Sequence, residues 1–101
     1  MPIDQTIDTE RERRQRLEEM RAENEPHWLD QFKPGSFGCH ELLDRTMLAA
    51  NLVEEYVCSH PACVRNQEWF ALAEQARAAL SELYQRIGAG HLDERDPAAS
   101  G

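Results

Sequence analysis

Two clusters of side chains in this sequence have the types that metal or acid–base chemistry requires. In "FGCHELLDRT", residues 37–46, a thiol, an imidazole and two carboxylates follow one another closely. His40 and Asp44 are four apart, so on a helix they share a face, and the carboxylate can hold the imidazole in one tautomer. In "CSHPAC", Cys58, His60 and Cys63 offer three donors of the kind zinc prefers. If the chain doubles back as a hairpin, His91 returns beside His40 and Asp44. That set resembles the imidazole–carboxylate ligands that helical bundles use for divalent metals such as zinc or iron.

Neither set is complete by the usual patterns. The paired Glu-x-x-His motifs of di-iron bundles are absent, and so is His-Glu-x-x-His. The Cys58–Cys63 spacing lacks the second donor pair of a zinc finger. Cys39 cannot supply it, because 19 residues of one helix separate it from Cys58 by about 28 Å. A plainer account needs no cofactor: His60-Pro61 ends a helix, the thiols pack as small apolar groups, and His40 is a hydrogen-bonded surface side chain. Catalysis has little to rest on. "GAG" at 88–90 reads as a helix stop and not as a phosphate loop. A Cys39 nucleophile with His91 as base is conceivable at a helix N-terminus, but Cys39 falls within an apolar arc.

The elements that must position these residues are all helical. From Asp8 or Thr9, "ERERRQRLEEMRAEN" is rich in helix formers but carries only Leu17, Met20 and Ala22 as apolar groups. A short connecting helix follows Pro26, with Trp28, Leu29 and Phe32 on one side, and Lys33-Pro34-Gly35 stops it. A long helix is expected from about 37 to 59, ending before Pro61. Cys39, Leu42, Leu43, Thr46, Met47, Leu48, Ala49, Ala50, Leu52, Val53, Tyr56 and Val57 cover well over half its circumference. His40, Asp44, Asn51, Glu55 and Cys58 are left as a narrow polar stripe. Asn66 caps a further helix over about 67–87, whose seam runs through Trp69, Leu72, Ala73, Ala76, Leu80, Leu83, Tyr84 and Ile87. Gly88 should close it.

The reading is therefore all-α: residues 1–7 disordered, 8–35 an N-terminal helix and connecting helix, 36–92 an antiparallel helical hairpin, 93–101 a disordered acidic tail. An apolar arc wider than one neighbouring helix can cover calls for a second copy, and a dimeric four-helix bundle is the expected solution.

Composition points the same way. The 101 residues carry a net charge of −8, with 19 acidic and 11 basic side chains, which disfavours phosphate backbones and so generic nucleic-acid binding. Arg11, Arg13, Arg14 and Arg16 alternate with glutamates as a self-compensating helix surface. No segment has the length of apolar sequence that crosses a bilayer, and the charged start lacks an apolar h-region, so the chain reads as cytoplasmic. Three cysteines in such a chain do not form a disulfide framework. The expected function is that of a small acidic protein–protein interaction module, adaptor- or inhibitor-like, that self-associates and docks on a larger protein. Leu17, Met20, Trp28, Phe32, Met47, Leu48 and Leu52 are its expected interface. A metal-binding bundle is the alternative.

Overall fold

The computed structural model describes the backbone of residues 3–100 and the side chains of residues 7–92. Among the described residues every regular element is helical and no strand occurs. Among the described residues no helix is long and apolar enough to cross a membrane. The chain divides into two compact units, residues 1–31 and 32–101.

The first unit contains helix α1, Ile3–Glu23. It begins five residues before the expected Asp8 cap, within the stretch expected to be disordered; residues 1 and 2 lie outside the described ones. None of its described side chains is buried. The helix is held instead by propensity and by ion pairs three and four residues apart. Glu10 meets Arg13 at 2.7 Å and Arg14 at 2.8 Å, and Glu12 meets Arg16 at 2.8 Å. The two guanidiniums hold the Glu10 carboxyl down at about 2. Leu17 is half-buried and Met20 is exposed. A 3₁₀ helix, Trp28–Phe32, follows.

The second unit is the hairpin. Its entry turn places Gly35 at φ 89°, a left-handed conformation that glycine adopts without strain. Ser36 then caps α2, Phe37–Leu52, its Oγ accepting from the Cys39 N–H at 3.1 Å. The helix passes directly into a π-helical segment, Val53–Cys58. Ser59 closes that segment by donating its N–H to the Glu54 carbonyl, five residues back, at 3.1 Å. One turn, α3, spans Pro61–Val64, with His60 as its cap. Finally α4 runs over Gln67–Ser100, with the Asn66 Oδ1 accepting from the Trp69 N–H at 3.0 Å.

The hairpin is antiparallel in a constant register. Each step forward along α2 is matched by a step back along α4. A Cβ on Gly88 would lie 3.7 Å from Leu43, Arg77 pairs with Glu54, and Ala73 packs with Cys58 and Cys63. The buried apolar residues are all small: Cys39, Ala50, Cys58, Cys63 and Ala73. Small residues at the seam let the two helices approach closely.

Three expectations change. Cys58, placed on the polar stripe, is only 2% exposed. A π turn holds about 4.4 residues, so six residues lag an ideal α-helix by about 110°, which swings Cys58 from the polar side onto the Ala50 side. Gly88 does not end α4. Its φ is not left-handed, and the helix continues past Gly88 and Gly90 to Ser100, through the stretch expected to be a disordered tail. The glycine propensity cost is overridden by the packing of α4 on α2 and by the bond between Gly35 and His91. The inward seam of α4 is also narrower than expected. Ala73, Leu80, Tyr84, Ile87 and His91 face the hairpin, whereas Trp69, Leu72, Ala76 and Leu83 are exposed.

Candidate functional site

Chemistry-bearing residues collect at the two ends of the hairpin. At the π-helical end, Glu54, Cys58 and Glu74 bring their donor atoms within 4.8 Å of one another, the one such group of three or more His, Cys, Asp and Glu among the described residues. The rotation that buries Cys58 turns its thiol toward α4, where it lies within 4.8 Å of the Glu74 carboxylate. Arg77 closes the set, 2.9 Å from Glu74 and 3.4 Å from Glu54. Burial, and then the adjoining Glu74, push the Cys58 thiol up. Arg77 holds the Glu74 carboxyl below its ordinary range. The guanidinium thus occupies the place of a cation between the two carboxylates, and the thiol keeps its proton. The group can act as a polar lock between α2 and α4. To take a metal it would have to release both the arginine and the thiol proton.

His60 and Cys63, expected to join Cys58 in a ligand set, are placed otherwise. Cys63 is buried with Cys58 and Ala73. His60 is exposed, and its Nδ1 accepts the Ala62 N–H at 3.0 Å as the cap of α3. That leaves the proton of a neutral ring on Nε2, the nitrogen turned away from the cap. The Cys58, His60 and Cys63 donors do not converge within 4.8 Å.

At the other end the hairpin does bring His91 to His40 and Asp44. The imidazole centroids lie 5.6 Å apart, with planes tilted by 42°. The His40 Nε2 is 3.5 Å from the Asp44 carboxylate. His91 is 2% exposed, and its Nδ1 accepts the Gly35 N–H at 2.9 Å. A backbone N–H can only donate, so Nδ1 presents its lone pair to Gly35 and the neutral ring carries hydrogen on Nε2. Histidines that ligate metals normally donate from their second nitrogen; here that nitrogen accepts. His40, Asp44 and His91 are neighbours, yet they too do not form a group of three donors within 4.8 Å. A cavity of about 340 Å³ lies here, lined by Gly35, Ser36, Phe37, His40 and His91.

No family model matches the chain, and no curated protein or solved structure matches it either. Function must therefore be read from the geometry.

The sequence singled out His40, Asp44, His91 and Cys58. It did not single out Glu54, Glu74, Arg77 or Gly35. Glu54 and Arg77 meet only because α2 and α4 are antiparallel in this register, and Glu74 joins Cys58 only because the π segment turns the thiol. A lysine–proline–glycine turn just before a capping serine was the available signal for Gly35.

A third feature is apolar. Tyr56, Val57, Ala62, Cys63, Trp69, Leu72 and His60 line an open groove across the π segment, α3 and the start of α4. Beside it along α2, Leu48 is 58% exposed, Leu52 41% and Met47 39%. Phe32 is 41% exposed and Trp28 half-buried.

Proposed function

We propose that this protein is a small acidic helical interaction module, adaptor- or inhibitor-like, that pairs with a second copy of itself and docks on a larger protein. The observation that carries the reading is the apolar arc of α2. Cys39, Thr46 and Ala50 are buried, but Met47, Leu48 and Leu52 stay exposed, and the exposed Tyr56 and Val57 that follow line one groove with Trp69 and Leu72. Soluble monomers rarely leave so many large apolar side chains uncovered side by side. In a two-fold pairing each copy contributes the same patch, so about ten such side chains are covered at roughly 1 kcal/mol each. Against an association cost of about 4–15 kcal/mol, this supports a pairing of modest affinity. The excess of acidic side chains suits a basic partner surface.

Sedimentation velocity tests the pairing. The full chain should sediment as a dimer at micromolar concentration and above. Leu48→Glu combined with Leu52→Glu should sediment as a monomer with unchanged helical circular dichroism. A full chain that stays monomeric at every concentration sinks the reading.

A further inference from the structure

The turn that leads into α2 is tied to α4 by a hydrogen bond whose acceptor can take up a proton. The Gly35 N–H donates to the His91 Nδ1 at 2.9 Å, across 56 residues of chain. Gly35 holds the left-handed φ of 89°, and Ser36 after it caps α2. The bond thus fixes the chain close to the start of the second unit, residues 32–101. A backbone N–H can only donate, so the bond exists only while Nδ1 keeps its lone pair. A proton on Nδ1 turns the acceptor into a donor and sets two N–H groups against each other. The ring is 2% exposed, so water is poorly placed to compensate a charge there. The charged and titratable neighbours do not compensate it either. On α2 the His40 ring lies 5.6 Å away, and its Nε2 is 3.5 Å from the Asp44 carboxylate. In the turn, the exposed Lys33 adds positive charge. A proton on His40 therefore meets a carboxylate, whereas a proton on the His91 Nδ1 meets the Gly35 N–H.

We propose that the Gly35–His91 bond is an acid-released latch. As pH falls through the range in which histidine side chains change charge, about pH 8 to about pH 5, His91 gains a proton, gives up the Gly35 N–H and frees the turn. In the unlatched state the ring takes the proton without losing a bond; in the latched state it does so only at the expense of one. Acid therefore favours the unlatched state. The buried residues Ala50, Cys58, Cys63 and Ala73 lie further along the hairpin, so α2 and α4 stay paired while the turn opens. The latch is independent of self-association, which uses the apolar face further along α2.

Spectra of the ¹⁵N-labelled full chain, recorded from about pH 8 to about pH 5, test the latch. The His91 Nδ1 resonance should move from the position of a bare ring nitrogen to that of a protonated one, and the Gly35 amide should move along the same curve. Protection of the Gly35 amide against hydrogen exchange, corrected for the intrinsic effect of pH, should fall about tenfold, the worth of one hydrogen bond. Over the same range Tm should fall by about 5 °C. His91→Asn offers the Gly35 N–H an amide oxygen close to the place of Nδ1 and takes up no proton. This variant should keep the Gly35 amide protected in acid and lose most of the decline in Tm. It retains His27, His40 and His60, so their titration does not account for the difference. A Gly35 amide in the parent that keeps its position and protection down to about pH 5 overturns the proposal. So does a decline in Tm as steep in a folded His91→Asn as in the parent. The first of these readings is made on the parent chain and stands whatever the stability of the variant.

Discussion

At the π-helical end of the hairpin, Cys58, Glu74, Arg77 and Glu54 satisfy one another. The thiol lies beside both carboxylates, and the carboxylates share a guanidinium. At the start of α2, His91 is buried to the same degree as Cys58, and the bond it makes among the described residues is to the Gly35 N–H. A polar set that closes on itself contributes to holding two helices in register. A single bond from a turn to a buried ring ties that turn to α4 at one point. Burial of a titratable side chain does not by itself tell these cases apart; the tally of its hydrogen bonds does.

The contrast can be broken most strongly by overfilling the closed end. Ala73 packs against Cys58 and Cys63, so Ala73→Leu should lower unfolding free energy by about 1–3 kcal/mol in denaturant titrations. At the open end, His91→Ala leaves the Gly35 N–H without its acceptor. A loss of about 1–2 kcal/mol is expected by the same measurement. Should that variant be as stable as the parent, the Gly35–His91 bond has no part in holding the turn.

Gly88→Ala sharpens the comparison in the opposite direction. The new methyl group meets Leu43 at an ordinary 3.7 Å, and alanine favours the helical state by about 0.8 kcal/mol. A rise in Tm is expected. A fall would mean that α2 and α4 approach more closely there than the register implies.

The smallest effect is on pH dependence, because Glu74 and Arg77 are each about a third exposed and solvent screens them. Cys58 holds its proton above the ordinary thiol value of 9.0 in the folded state. The unfolded chain therefore loses that proton first, and stability should decline as pH rises beyond 9.0. Glu74 is shifted the other way, so its contribution is present above 4.5 and fades as pH falls below it. Cys58→Ala should remove the alkaline decline and leave the acid one. Tm measured across pH for both proteins checks this.

Much of the fold was legible because local signals and burial agree. Asn66 read as a cap from its type and position, and it is one. The antiparallel pairing of α2 and α4 followed from their short connection. That connection holds one feature the sequence reading passed over: His60-Pro61 not only ends one helix but starts α3, with the imidazole as cap and proline at the first position. Cys58 was misplaced because a fixed 100° per residue was carried through a segment that does not keep it. Gly88 was misread as a terminator because glycine preference is weak beside packing. The proximity of His91 to His40 was readable from topology. Its bond to Gly35 was not, since it depends on a left-handed turn 56 residues away.

The π segment has one more implication, for chain length. Cys39 and Cys58 are both buried against α4, although nineteen residues at a uniform α pitch would leave them about 100° out of phase. The slack in residues 53–58 works like a vernier, bringing the far end of a long rod back into step with its neighbour. Deleting a single amino acid there would tighten the coil and detune one end. Insertions and deletions should consequently be tolerated far less at this spot than point replacements.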